Sequence, residues 1–454
     1  HNVQLPAIMA IPYDAPPPLS FPQQRLWFLE QLEPGQPVYN IFTAASLIGP
    51  LDVAVLEQSL SEMIRRHESL RTTFALVEQE PVQIIAPAMP FTLSVTDLRE
   101  LDEKERESET KRRVKEDASK PFDLKRGPLM RASLLRMDEQ EYVVLLTMHH
   151  IISDGWSMDI FLSEMVTLYS SFSLGRPSPL PDLRIQYSDF ALWQRRWLRG
   201  EVLASHLSYW RRQLADAPPV LRLPTDRVRP TIQSFRGSKQ PFAVPADLAE
   251  GLDSLSRHQG VTLYMSLLAA FKVLLHHYAA EDDIIVGANI ANRNRSEIEG
   301  LIGFFTNMLV MRTKLSGDPN FRELLGRVRE SALGAYTHQD VPFEKVVEEL
   351  QPERDLNRTP LVQVVFTFQP TLAESVDFPG LTLKALEQSN NTTRFDLILN
   401  MVRTKQGLGG SIIYSTDLFD ASTSARMIAS FQIIIREVIA EPEIRLSVLA
   451  EKLA

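Results

Sequence analysis

Apolar and polar positions alternate along this chain in two rhythms, short apolar runs and longer amphipathic stretches. Residues 142–148 form an apolar run rich in β-branched residues, too short for a helix, with charge before it and Ser153-Asp154-Gly155 after it. That pattern predicts a buried strand. Apolar residues at helical spacing then predict a helix with Ser157 as its N-cap and Asp159 near the positive end of its dipole. Phe161, Leu162, Met165, Leu168 and Tyr169 would form its inward face. Strand, tight turn and helix N-terminus converge on His150 and Gly155. Successive strand side chains point to opposite faces, so His149 and His150 cannot both face one ligand. One is expected to work and the other to pack.

The same periodicity predicts a helix over 52–70, carried by Leu56, Leu60, Met63, Ile64, His67 and Leu70. His67 on that inward face reads as a packed core histidine, whereas Arg66 and Arg71 near the helix end are placed to reach a carboxylate elsewhere. Residues 101–118 alternate charge densely and read as a solvated helix face. Gly175-Arg-Pro-Ser-Pro-Leu-Pro181 is the clearest breaker cluster. A domain boundary is expected there, giving domains at 19–178 and 179–454 after a proline-bearing linker, 1–18, that runs in from something upstream. Further helices are predicted over 187–214, 246–258, 262–280, 319–336, 342–350 and 420–438. Strands or extended segments are predicted near 283–287, 302–312, 361–369, 379–387, 395–404 and 410–416. His276-His277 falls inside a helix with no Asp-Gly turn after it, and reads as a partly buried residue beside an exposed one. Strands interleaved with helices in both halves predict an α/β protein of two lobes with a site between them.

Length agrees, since 454 residues exceed the usual single core of about 250–300. Lys and Arg number 48 against 57 Asp and Glu, a net charge of −9, with no long basic block. Nucleic acid is therefore not an expected partner. No apolar stretch approaches the roughly 18 residues of a membrane helix, and the N-terminus lacks a signal pattern, so a soluble cytoplasmic chain without a membrane partner is expected. Cysteine is absent, which excludes disulfides, thiolate nucleophiles and Cys-ligated zinc. No metal site is expected, and any thiol chemistry must belong to a substrate or a carrier.

His149-His150-Ile-Ile-Ser-Asp154-Gly155 resembles the HHxxxDG motif of condensation domains of non-ribosomal peptide synthetases, relatives of chloramphenicol acetyltransferase-like enzymes. Six further stretches resemble the other motifs of that family, in its order. They are Ser20-Phe-Pro-Gln-Gln-Arg-Leu-Trp27, Arg66-His-Glu-Ser-Leu-Arg71-Thr-Thr-Phe74, Tyr187-Ser-Asp-Phe-Ala-Leu-Trp193, Ile302-Gly-Phe-Phe-Thr-Asn307-Met-Leu-Val-Met-Arg312, His338-Gln-Asp-Val-Pro-Phe-Glu344 and Arg354-Asp-Leu-Asn-Arg-Thr-Pro-Leu-Val-Gln363. Thr306 and Met308 depart from the usual fifth motif, where Val and Thr are commoner. The resemblance is strongest to the subgroup that takes an L-configured donor. It implies two chloramphenicol-acetyltransferase-like α/β lobes packed as a V with an active-site tunnel between them.

The resemblance also implies an acyltransfer reaction. A carrier-bound aminoacyl or peptidyl thioester would be the donor, and the amine of a second carrier-bound aminoacyl thioester would attack it to form an amide. No cofactor would be bound by this chain, since 4'-phosphopantetheine arrives on the partner carrier domains. An adjacent adenylation domain is the other implied partner, and the domain alone would be monomeric. An α-amino group titrates near about 8, so the demand on a base is mild. His150 would accept the ammonium proton, deprotonate the tetrahedral intermediate, or hold the amine by a hydrogen bond. Gly155 has two candidate jobs, permitting a sharp turn and leaving room beside an N–H at a helix N-terminus for a developing oxyanion. Asp154 would organise the loop by pairing with Arg66 or Arg71, and His149 would pack behind it. Trp156 reads as a core aromatic. Ser157 and Asn307 are candidates for lining the substrate tunnel. Two other readings stand beside this one: an ester-forming domain with a hydroxyl acceptor, and a non-catalytic platform recruiting a tailoring enzyme, a type that usually loses the histidine motif.

Overall fold

The computed structural model describes residues 6–12, 15–352, 357–369, 378, 380–386 and 392–453. Its backbone divides into two compact units, each drawing on separated stretches of chain. The first comprises His1–Val202, Ala291–Thr306 and Ala373–Asn390, and the second Leu203–Ile290, Asn307–Leu372 and Asn391–Ala454. This differs from a single cut at 178/179. The helix Tyr187–Trp197 packs into the first unit through Tyr187, Phe190 and Ala191 against Ile298, Leu301 and Phe305, so the chain beyond the proline cluster still belongs there.

In chain order the strands are β1 (Asn40–Ile48), β2 (Thr72–Val77), β3 (Glu80–Ile85), β4 (Ser94–Asp97), β5 (Met130–Asp138), β6 (Glu141–His149), β7 (Gly237–Pro245), β8 (Asp283–Ile290), β9 (Asn307–Lys314), β10 (Val364–Gln369), β11 (Thr382–Ala385), β12 (Leu397–Thr404) and β13 (Gly407–Ser415). The first unit holds a sheet of order β11-β1-β6-β5-β4, in which only β4 and β5 run parallel, and a separate β2–β3 hairpin. The apolar run of β6 is buried at Tyr142, Val143, Leu145, Leu146 and Met148, as a central strand covered on both faces requires. The helix Val53–Arg66 starts where Asp52 accepts hydrogen bonds from Ala54 and Val55 N–H, and it buries Leu56, Leu60, Met63 and Ile64. The charged helix Glu103–Ser119 buries only Val114, in keeping with a solvated face. Residues 6–12, expected to be free linker, are docked: Ile8 is buried beside Ile185 and Tyr187, and Asp189 accepts from Ile11 N–H at 3.1 Å.

The second unit carries a sheet of order β7-β13-β12-β10-β8-β9, with β10 parallel to β8 and β12. Its helix Leu263–Ala279 is apolar nearly all round because it is buried from Met265 to Leu275. Among the described residues no single helix is long and apolar enough to cross a membrane. The helix expected over 187–214 is two helices, Tyr187–Trp197 and Gly200–Gln213, broken where Gly200 takes a φ of +56°. The segment expected to be extended over 302–312 becomes strand only from Asn307. Part of the strand expected at 379–387, and Arg354, Asp355 and Leu356 of the last motif, lie outside the described residues.

Candidate active site

At the end of β6 the chain turns through one short 3-10 turn, His150–Ile152, into the helix Gly155–Phe172. The two histidines meet opposite surroundings. His149 is 2% exposed, between the rings of Tyr39 and Phe122, and its Nδ1 accepts from Ile151 N–H at 3.1 Å. Burial, with His150 adding to it, pushes its pKa down to about 3, so it stays neutral near pH 7. His150 is partly exposed, and its Nδ1 lies 2.9 Å from the carbonyl of Ser153. A carbonyl only accepts, so Nδ1 carries the proton and Nε2 is the basic nitrogen.

Asp154, not Ser157, is the N-cap of this helix, accepting from Ser157 N–H at 2.9 Å. Its carboxylate is fully buried. Oδ1 also accepts from Ser157 Oγ at 2.7 Å and from Arg293 at 3.2 Å, while Oδ2 accepts from the N–H groups of Phe305 and Thr306 at 2.9 and 3.2 Å. The partner expected from sequence was Arg66 or Arg71, and neither fills that role. Arg66 forks onto Glu164 at 3.0 and 3.1 Å, and Arg71 binds the Ala86 carbonyl and lies 3.5 Å from Glu68. Arg293 wins because it is itself buried, spanning from Asp154 and Ser157 to the carbonyls of Ile298 and Leu301 at 2.6 and 2.7 Å, with its guanidinium over the Phe305 ring. Burial lowers its pKa and Asp154 opposes that shift.

Ser157 is also fully buried, its hydroxyl engaged by Asp154, Arg293 and the backbone of Gly303. It belongs to a polar lattice, not to an open surface. Trp156 is 44% exposed instead of a core aromatic, with its indole N–H on the Glu299 carbonyl at 3.0 Å. Gly155 is exposed as the first helical residue, and a Cβ built there would meet nothing within 4 Å. Its φ lies outside the left-handed region, so of its two candidate jobs the backbone one falls away. Helix geometry leaves the Gly155 and Trp156 N–H groups without intrahelical acceptors.

The five residues 302–306 are held almost entirely by side chains. His67 Nδ1 accepts from Ile302 N–H at 3.4 Å, and Ser69 donates to the Ile302 carbonyl at 2.8 Å. Ser157 Oγ accepts from Gly303 N–H at 3.1 Å, Tyr187 donates to the Phe304 carbonyl at 2.6 Å, and Asp154 binds Phe305 and Thr306. Tyr187 is in turn 2.8 Å from Ser20, and burial raises its pKa. Since His67 accepts through Nδ1, its Nε2 proton goes to Glu164 at 2.8 Å. Burial lowers the pKa of His67, and although burial pushes Glu164 up, His67 and Arg66 hold it below the usual carboxylate range. The packed reading of His67 thus misses its polar duty. Asn307 lies in the second unit, where its amide donates to the carbonyls of Gln339 and Val341, both at 2.8 Å, and its carbonyl accepts from Phe343 N–H at 3.0 Å. That is a brace for the start of the helix Phe343–Leu350.

Sequence reasoning missed Arg293 and the reach of Tyr187. The signal for Arg293 was the Asn292-Arg293-Asn294-Arg295 run just before the fifth motif, with Asn292 at a φ of +52°.

Residues 16–450 match the Condensation domain family. The chain is 48% identical over 438 residues to one of the linear gramicidin synthase proteins of Brevibacillus parabrevis, covering 96% of this chain and 6% of that protein. Against a second protein of the same synthase the identity is 49% over 440 residues, covering 96% and 9%. The chain thus spans less than a tenth of these curated relatives. Among solved structures, the complex of the X-domain and OxyB from teicoplanin biosynthesis superposes with a TM-score of 0.87 at 30% identity, covering 98% of each chain. The fold is the chloramphenicol-acetyltransferase-like α/β architecture of two lobes. Family match, relatives and fold agree, and the chain belongs to the condensation-domain family of non-ribosomal peptide synthetases.

Proposed function

We propose that this domain forms an amide bond between an aminoacyl or peptidyl thioester on an upstream carrier and the α-amine of an aminoacyl thioester on a downstream carrier. The observation that carries the reading is the tautomer of His150: with Nδ1–H on the Ser153 carbonyl, Nε2 is the acceptor, on a partly exposed ring close in sequence to the open helix start at Gly155. The amine nitrogen attacks the thioester carbonyl carbon, and its surplus proton passes to Nε2. The C–S bond then breaks and the departing pantetheine thiolate takes that proton, so that amide and thiol leave with charge balanced. Unpaired N–H groups at the helix start would favour the developing oxyanion. Much of the acceleration is positional, since holding two tethered reactants in line supplies effective molarities on the order of 10⁵ M. Both carrier domains, their phosphopantetheine arms as part of the substrates, an adjacent adenylation domain, an L-configured donor and a cytoplasmic setting belong to this proposal.

The test is reconstitution with one donor-loaded and one acceptor-loaded carrier, reading the new carrier-bound product by mass spectrometry. Amide product with an amine acceptor supports the reading, and product with only a hydroxy-acyl acceptor replaces it by ester formation. The likeness to an X-domain solved with OxyB favours a second reading, a platform that recruits a tailoring enzyme. The intact set of His150, Asp154 and Gly155 weighs for catalysis. No product from any loaded pair, together with binding of an oxidising tailoring protein, would decide for the platform.

A further inference from the structure

We infer that Phe304 is a positioning residue for His150, and that the side chains gripping residues 302–306 act on His150 through it. The inference rests on the proposed role of His150 and extends it to a residue 154 positions away in sequence. An imidazole hung from a short turn has two torsions to fix. The hydrogen bond from Nδ1 to the Ser153 carbonyl fixes one end of the ring, at 2.9 Å. Alone it allows the ring to swing about that bond and carry Nε2 away from a reacting amine. The Phe304 ring stands against the imidazole with centroids 4.8 Å apart and planes inclined at 61°, which blocks that swing.

A phenylalanine on a mobile loop would be a poor stop, and this one is not on such a mount. Its own carbonyl takes the Tyr187 hydroxyl, and Ile302, Gly303, Phe305 and Thr306 are held by His67, Ser69, Ser157 and Asp154. A Cβ on Gly303 would stand 1.9 Å from the Tyr187 ring, so the backbone there approaches as closely as glycine permits. These gripping residues come from three separate stretches of chain, yet their common load is the five-residue segment whose central side chain meets His150. That gives buried groups such as Ser157 and Tyr187 a task in the reaction although neither is placed to touch a reactant.

The experiment uses the whole domain labelled with [15N]histidine, with the His150 ring signals assigned by their loss in His150→Gln. In the wild type the Nδ1 proton should exchange slowly with solvent. Phe304→Ala should speed that exchange roughly ten-fold or more and lower kcat by roughly ten- to a hundred-fold, with KM for the acceptor nearly unchanged. Phe304→Tyr, which keeps the ring in place, should restore both values, and the His149 signals should stay fixed in every variant. Wild-type exchange and kcat in Phe304→Ala would overturn the inference, as would a Tyr variant as impaired as Ala in a folded protein. A rise confined to KM would also overturn it, since Phe304 would then be a substrate contact. Should Phe304→Ala fail to fold, Phe304→Leu, which keeps bulk without a flat ring, is read on the same two quantities. The proton-exchange arm needs no turnover. If His150→Gln kept full condensation activity, the proposed function would fall while the positioning of the ring was still decided by exchange.

Discussion

His149-His150 and His276-His277 are the same dipeptide in two settings. The second lies in the last turn of the helix Leu263–Ala279, where a rotation of about 100° per residue leaves both rings half-buried on one broad side. His276 binds the Glu281 carbonyl at 2.9 Å, and His277 packs edge-on to Tyr278. The sequence suggested a partly buried residue beside an exposed one, and both are instead half-buried. The first pair sits where a strand ends and a 3-10 turn begins, which sends one ring into the core and the other toward Phe304. The residues that follow make the difference. Ser153 fixes a tautomer, Asp154 fixes the turn to Arg293 and to the backbone of Phe305 and Thr306, and Gly155 leaves space. A histidine pair is thus informative through its next five residues.

The largest effect should come from removing the anchor of the first setting. Asp154→Ala leaves Arg293 as a buried, unpaired cation and should cost about 3–5 kcal/mol, read by denaturant unfolding. Loss under about 1 kcal/mol would mean that the pair is solvated in solution. Because a Cβ at Gly155 meets open space, Gly155→Ala should fold with wild-type stability. Gly155→Leu should fold too and lose condensation activity by occlusion. Equal activity in Ala and Leu variants would leave Gly155 no part in the site.

A smaller effect tests the buried member of the pair. His149 has a folded pKa of about 3 against 6.5 unfolded, so below pH 6.5 the unfolded chain binds a proton that the native one refuses. Its contribution is absent above pH 6.5 and grows as a loss of stability as pH falls toward 3. By pH 5 it should reach about 2 kcal/mol. His149→Asn keeps an acceptor for Ile151 N–H and should lose less stability between pH 7 and pH 5 than the wild type; parallel curves would contradict the burial account. The smallest effect belongs to the second pair, where His277→Gln should change turnover by less than about two-fold and stability by under about 0.5 kcal/mol. A large loss of turnover there would mean that the wrong pair was chosen.

How far the sequence could be read follows from the range of each interaction. Periodicity is local, so the helices Val53–Arg66 and Ala246–His258 and the buried strand β6 were legible to within a few residues. The break at Gly200 was present in the sequence, but the apolar spacing on either side outweighed one glycine. Residues 6–12 read as part of a linker over 1–18 because nothing local shows that Ile8 has a pocket to fill. The Asp154–Arg293 pair spans 139 positions and the Ser20–Tyr187 contact 167, beyond any spacing rule. Residues 302–306 read as extended because their apolar run continues into β9; that their partners are side chains, not a neighbouring strand, depends on where five distant residues meet.

The most direct test of the central claim, that Nε2 of His150 handles the acceptor's proton, is the single-turnover rate of condensation between two loaded carriers for wild type and His150→Ala at equal, verified folding. The rate should fall roughly 10²-fold or more with an unchanged melting temperature. A rate within a few-fold of wild type in a folded His150→Ala protein would contradict it.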